Sequence, residues 1–349
     1  MATRTILLAA LAAAISFPGA ALAHHSTSGR FDRDKTVEIE GDVTEVQWRN
    51  PHSHVIINVA GEDGERVSWD LETGSVTQLR RVGIRPEWVS VGDHIKVAGW
   101  PPLTSTREMF ATNLLTADGK ELLLNISAEP RWSGDAIGDP TFQSKTEGDP
   151  SRPELGLFRI WSHTDVSVFL FPEDTDRDFD LSRYPLTDAA RSALRGFDRA
   201  TDNPTRHCMP KGMPTIMEQP YPMQILEEEN GDVRFLIEEY DTQRLIHMNE
   251  QAPPPNVRPS RLGYSVGRWE GNSLVVTTTQ MSWPWFDQVG IPQSNQSVLL
   301  ERFTPTDDGS RLDYTLTVTD PVNFTAPVHL EKYWLYLPGR QVRPYECTD

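Results

Sequence analysis

From residue 221 to residue 337 the chain repeats one pattern: a short run of alternating apolar and polar residues, then a turn. The runs are YPMQILEEE, DVRFLIEEY, RLIHMN, LGYSVGRWE, SLVVTTTQM, SVLLERFTP, RLDYTLTVTD and HLEKYWLYL. Turns such as Asn230-Gly231-Asp232, Gly271-Asn272 and Asp308-Gly309 separate them. Period-two alternation puts every second side chain on one face of a sheet. Runs at hairpin spacing pair with their chain neighbours. This half is therefore expected to form an antiparallel meander, either a curved sheet or an up-and-down barrel of lipocalin-like kind. No strand-helix alternation supports a parallel sheet.

An earlier block, residues 36–125, alternates in the same way. TVEIEGDVTEVQW places Val37, Ile39, Val43 and Val46 in a strand interrupted by Gly41. HVIINV and ERVSWDL follow, and SVTQLRRVG reads as a short helix ended by Gly83. DHIKVAGWP and REMFATNLLTADGKELLL complete the set. Three strands, a helix and two strands fit an OB-like Greek-key barrel. Residues 126–155 are polar, rich in turn residues and without a period, so they read as a linker. The second domain is expected over 156–349, with one helix near 186–196 that Pro185 precedes and Gly196 ends. The fold class is thus mainly β, with ten Trp and 27 Pro suiting strands and turns better than a helical bundle.

The N-terminus carries an export signal. Arg4 supplies a positive start, ILLAALAAAISF an apolar stretch, Pro18-Gly19 a break, and Ala21-Leu22-Ala23 a small-x-small cleavage site. Residues 1–23 are expected to be removed, leaving a periplasmic chain that begins at His24 and has no membrane span. The formal charge of −17 argues against nucleic acid and anionic membrane surfaces as partners. In an oxidising compartment the two cysteines, Cys208 and Cys347, are most simply a disulfide. A reactive thiol or a metal ligand is the alternative.

The mature start His24-His25-Ser26, with Phe31-Asp32, Gly41-Asp42-Val43 and Asn50-Pro51-His52, resembles a family of exported proteobacterial proteins. The N-terminal domain of that family has no known function. The second half resembles the partner domain often found with it, at Pro185-Leu186-Thr187, Cys208-Met209-Pro210, Gly263 to Gly271, Glu301-Arg302-Phe303, Asp320-Pro321 and Glu346-Cys347. The phrase Gly267-Arg268-Trp269-Glu270-Gly271 is the most specific element. The resemblance implies no activity. Asn272 stands where relatives usually have Asp, and Tyr264 where they usually have His.

Three constellations could carry chemistry. A free His24 would offer its α-amine and imidazole to one metal. His52, His54 or His25 would supply a further imidazole, an arrangement suited to copper. The plain alternative makes His24 and His25 solvated tail residues and Asn50-Pro51-His52 a turn. Second, Gly263-Tyr264-Ser265-Val266-Gly267 matches a serine-nucleophile elbow in letters. The strand-turn-helix context of an elbow is missing, because a turn and a strand follow. A hairpin with Trp269 in the core is the better reading, and Trp269 is there also a candidate ligand contact. Third, Glu238, Glu239, Tyr240, Arg244, His247, Glu301, Arg302 and Asp320 lie on the expected barrel strands. Facing inward they would orient a ligand or form a structural ion-pair network. The leading expectation is a periplasmic protein that binds a small organic ligand, with copper at the N-terminus as an addition. A copper-dependent redox or hydrolytic enzyme is one alternative. An envelope interaction module touching a protein partner through Trp283 and Trp285 is the other.

Overall fold

A computed structural model describes residues 30–347 apart from 62–63, 104–105, 126–127, 139–144, 163–167, 173, 175–180, 198–201 and 203–207. The protein is mainly β, and its strands form two separate sheets.

The first sheet contains β1 (Val37–Gln47), β2 (Ser53–Ala60), β3 (Arg66–Thr73), β4 (His94–Trp100), β5 (Glu108–Leu115) and β6 (Glu121–Leu123), with α1 (Val76–Arg81) between β3 and β4. The order is β3-β2-β1-β4-β5-β6, and a parallel pairing of Asp70–Glu72 with Glu108–Phe110 closes the first five strands into a barrel. This is the OB-like order expected from the alternation. β1 makes closure possible by serving two neighbours. Its first half, Val37 to Asp42, pairs with β4, and its second half, from Asp42 to Gln47, pairs with β2. At the crossing point a Cβ on Gly41 would lie 2.4 Å from the carbonyl oxygen of Asn58, so the backbones meet only because no side chain intervenes. The helix α1 starts at a reciprocal cap: Ser75 Oγ accepts from Gln78 N, and Gln78 Oε1 accepts from Ser75 N. Its buried Val76 and Leu79 lie at the foot of the barrel, Leu79 within a core of Val55, Ile57, Leu71, Val97 and Met109.

The second sheet holds β7 (Ile160–Trp161), β8 (Met223–Glu227), β9 (Val233–Ile237), β10 (Thr242–His247), β11 (Tyr264–Glu270), β12 (Ser273–Thr279), β13 (Val298–Pro305), β14 (Arg311–Thr319) and β15 (Val328–Leu335). They lie in unbroken chain order. Ser162 and Leu335 exchange backbone bonds of 2.8 and 2.9 Å, which brings the two edges together and nearly closes the barrel. One pairing departs from an antiparallel meander. β10 and β11 run parallel, because residues 248–263 carry the chain back along the sheet before β11 begins. The helix α2 (Asp188–Arg195) is capped by Thr187 Oγ1 accepting from Ala190 N and ends at Gly196. Inside, Phe235, Phe303, Tyr314 and Trp334 pack with aliphatic side chains from the surrounding strands.

The described residues of 126–155 bond to both barrels. The Glu121 carboxylate accepts the backbone N–H groups of Arg131, Trp132 and Ser133 at 2.7 to 2.9 Å, and Asp149 N donates to Tyr336 O at 2.8 Å. The two barrels also touch directly. Arg81 of α1 pairs with Glu238, and both side chains are buried. Tyr221 donates to Ser75 Oγ at 3.0 Å, and Asn50 Nδ2 donates to Glu346 O at 2.8 Å. Beside Asn50 the Cys208–Cys347 disulfide spans 139 residues of chain. Closing so long a loop stabilises the folded state by about 5 kcal/mol in chain-entropy terms.

Gly99 tests the first barrel. β4 shifts register between Ala98 and Gly99, and a Cβ on Gly99 would lie 2.2 Å from Phe110 O. The Gly99→Ala variant is expected to lose about 1–3 kcal/mol of stability in denaturant unfolding, the scale of an overpacked core. An unchanged midpoint would contradict this crossing geometry.

Candidate functional site

The interior of the second barrel is largely apolar, but each of six successive strands brings a polar side chain into it. Arg244, Ser265, Thr278, Glu301, Tyr314 and Lys332 occupy inward positions of β10 through β15, and all are buried. Glu301 Oε1 accepts Arg244 Nη1 and the Tyr314 hydroxyl, both at 2.9 Å. Its Oε2 accepts Arg244 Nη2 and the Thr278 hydroxyl. The remaining guanidinium donors reach Ser265 Oγ at 3.1 and 3.2 Å and Thr278 Oγ1 at 2.8 Å. The five partners use up one another's hydrogen-bonding capacity. Burial, and then the Glu301 carboxylate beside it, push the Tyr314 phenol well above its ordinary value, so it stays protonated and donates.

A second cluster lies next to this belt and is less completely paired. Lys211 Nζ donates to Glu239 Oε1 at 2.9 Å, and both side chains are buried. Lys332 Nζ donates to Met217 O at 2.9 Å, and Glu218 Oε1 accepts Phe169 N at 3.1 Å. Burial lowers Lys332 to about 7 against the attraction of Glu218, and burial raises Glu218. Asp287 sits further along. Its Oδ1 accepts three backbone N–H groups, from Val289, Gly290 and Ile291, at 3.0 Å each. Burial, with Glu218 nearby, nevertheless pushes it up to about 8. Glu239 Oε2, Gln219 Nε2, Thr242 Oγ1 and Asp287 Oδ2 are among the buried polar atoms with no partner among the described residues.

Among the sequence candidates, Glu239, Arg244 and Glu301 are interior. Tyr240, His247, Trp269 and Arg302 are not, and period-two geometry explains two of them. Arg302 follows Glu301 and must face outward, where it pairs with Glu270, which also binds Arg268. His247 is three residues from Arg244 and also faces out, with its ring stacked 4.4 Å from Tyr264. Tyr240 sits in a turn with φ of 57° and contacts Tyr345. Trp269 has inward parity but lies past the barrel rim, 44% exposed and edge-on to Phe158, so it does not fill the core. Glu, His and Arg therefore form no acid-base constellation among these residues. Asp320 caps a loop, accepting Ser294 N and Oγ, Val322 N and Asn323 Nδ2.

The Gly-x-Ser-x-Gly phrase is a hairpin strand. A Cβ on Gly267 would lie 2.5 Å from Met248 Sδ, and Gly263 has a φ of +69°. Ser265 serves Arg244 and Thr278. Asn272 donates to Pro305 O, which an Asp could not do. The aromatic run is split: Trp283 is buried with Nε1 donating to Thr215 Oγ1 at 2.9 Å, Phe286 packs on Tyr184 and Phe324, and Trp285 is half-buried against Phe197. Trp283 thus offers no contact surface to a partner. Lys211, Glu218, Asp287 and Lys332 were not singled out from sequence. Lys332 was findable, since it shares the inward parity of Val328, Leu330 and Trp334. Glu218 and Asp287 lie in irregular segments with no period to betray them.

On the first barrel, His54 Nδ1 lies 2.9 Å from Asp70 Oδ1 and His52 Nδ1 3.4 Å from Glu72 Oε1. Arg30 bridges Glu72 and Glu108 at 2.6 and 2.5 Å beside them. His24 and His25 lie outside the described residues. Among the described residues no group of three or more His, Cys, Asp or Glu is placed to hold a metal ion, and no helix is long and apolar enough to cross a membrane.

Residues 12–109 match a family of unknown function, DUF6152. The match runs through β1 to β4 and ends at the start of β5, leaving the second barrel outside it. It agrees with the resemblance drawn from the N-terminal motifs to a domain without known function. No curated protein and no solved structure matches the chain.

Two predictions test the interior. Arg244→Ala strands the Glu301 carboxylate and is expected to cost about 3–5 kcal/mol in denaturant unfolding, whereas replacing both partners with apolar residues costs much less. Equal costs would show that the pair is not coupled. For Asp287, the folded carboxyl keeps its proton up to about 8, while the unfolded one releases it near 3.8. The folded state binds more protons between those values, so this group makes stability fall as pH rises through that window. Asp287→Asn should flatten the dependence of melting temperature on pH there and raise it at the upper end. An unaltered pH profile would contradict a neutral buried carboxyl.

Proposed function

We propose that this is an exported, periplasmic binding protein whose second barrel seats a small polar organic ligand at the Lys211–Glu239 end. One observation carries the reading. Glu239 Oε2, Gln219 Nε2 and Thr242 Oγ1 are buried without partners near one end of β8, β9 and β10. Buried polar atoms in native proteins are almost always satisfied, and an unsatisfied set in one place is the signature of a ligand's hydrogen bonds. The donor and acceptor types ask for a ligand that donates to a carboxylate oxygen and accepts from an amide, as a hydroxylated, amino or amide compound does. The saturated Arg244–Glu301 belt behind the cluster would give this end a rigid floor. Export is supported by the signal-like residues 1–23, and the Cys208–Cys347 disulfide suits an oxidising compartment.

A copper role at the mature N-terminus has its own support. A carboxylate beside Nδ1, as Asp70 is beside His54, leaves Nε2 to face a metal. His24 lies six residues before Arg30, which rests on the same face, within about 20 Å of extended chain. The residues that would hold copper are His24 and His54, with His52 or His25 in support.

Native mass spectrometry of protein purified from the cell envelope tests the ligand reading. A bound small molecule is expected on the wild type and at least about tenfold weaker binding in Glu239→Gln. The same adduct on both proteins, or none on either, would overturn it. For copper, processed protein should bind one Cu(II) tightly, and one extra residue before His24 should abolish this.

A further inference from the structure

We propose that the Cys208–Cys347 disulfide is a redox latch: it holds Tyr345 as a plug beside the Lys211–Glu239 pair, and exchange with a dithiol protein opens that end of the barrel. What the latch uncovers rests on the binding reading, whereas the opening itself does not.

The plug is a short tail with little to hold it. After β15 the residues from 338 to 347 form no strand, and from Arg340 to Cys347 only Tyr345 is buried. Its ring packs edge-on to Tyr221 at 5.3 Å and against Tyr240 at 4.9 Å. Tyr240 directly follows Glu239 in the chain, so this ring contact brings Tyr345 next to the Glu239 segment. Hydrogen bonds also dock the tail at several points. Arg343 N donates to Glu238 Oε2 at 2.9 Å, Tyr345 N to Asp241 Oδ1 at 3.1 Å, and Asn50 Nδ2 to Glu346 O at 2.8 Å. Bonds of this kind contribute about 0.5–3 kcal/mol each. The covalent bond adds to them the one restraint on Tyr345 that a thiol can remove.

The latch also reaches the first barrel. Asn50, fully buried, bridges to Cys347 and donates to Thr77 of α1 at 2.9 Å. Glu238, which holds Arg343, is the partner of Arg81 at the other end of α1. Releasing the tail thus removes one hydrogen bond from Asn50 and one from Glu238, the residues that hold the two ends of α1. Both cysteines are only half-buried, and Met209 next to Cys208 is exposed, so a partner's thiolate can approach.

The chemistry is ordinary exchange. A thiolate of the dithiol partner attacks one sulfur and the other leaves as a thiolate. The partner's second thiol then resolves the mixed disulfide. Two electrons pass to the pair, the partner becomes a disulfide, and its two protons end on Cys208 and Cys347.

The test is hydrogen exchange on full-length protein, oxidised and after treatment with dithiothreitol, with a Cys208→Ala/Cys347→Ala variant alongside. The latch predicts at least about tenfold faster exchange at residues 238–242 and 340–347 in the reduced and doubly substituted proteins, with β11 to β15 unchanged. Unchanged protection at the tail overturns the proposal. Loss of protection through β11 to β15 together also overturns it, because the bond would then be a staple for the whole barrel. Opening seen in protein that never carries a bound small molecule would contradict the binding reading and leave the latch standing.

Discussion

Arg244 and Glu301 face each other inside the second barrel, and the organisation of that barrel follows from keeping the pair satisfied. Two charges removed from water are stable only when nearly every donor and acceptor finds a partner. Ser265, Thr278 and Tyr314 supply those partners, one each from β11, β12 and β14. The network therefore ties five neighbouring strands into one register. A slip by one residue in any of them would turn its polar group outward and strand a charge. This is a specifying role, and it leaves the belt with nothing to offer a ligand.

The contrast with the neighbouring cluster carries the functional argument. Lys211, Glu239, Glu218, Lys332 and Asp287 are buried as well, yet Glu239 Oε2 and Asp287 Oδ2 have no partner among the described residues. Burial pulls Lys332 down to about 7 and pushes Asp287 up to about 8. Such groups weaken the fold unless something else requires them. Glu239 lies next to the place where the two barrels and the C-terminal tail meet, and the Arg81–Glu238 contact and the disulfide hold that junction together. The junction is thus a place where assembly of the two domains and access to the cluster are governed by the same few residues.

Much of this was legible in the sequence. Period-two alternation and turn residues placed the strands of both barrels, and the Cys pair was read correctly as a disulfide. Arg244 and Glu301 stood out as charges in apolar runs. Strand parity, applied strictly, would have removed Arg302 and His247 from the interior list, since each differs by an odd number of residues from its inward neighbour. Other features had no local signal. The parallel β10–β11 pairing depends on the path of residues 248–263, and the roles of Glu218 and Asp287 depend on loops that fold back into the barrel. The segment 126–155 read as a linker because what ties it down is its backbone, as where Arg131, Trp132 and Ser133 N–H groups donate to Glu121 of β6, and such bonds leave no periodic trace.

The central claim is that the incomplete hydrogen bonding around Glu239 belongs to a bound organic molecule. A crystal structure of the mature protein taken directly from its native envelope tests this most directly. The account predicts non-water density within about 3 Å of both Glu239 Oε2 and Gln219 Nε2, the reach of a hydrogen bond. Ordered water alone at those atoms, or side chains that turn to satisfy one another, would contradict it.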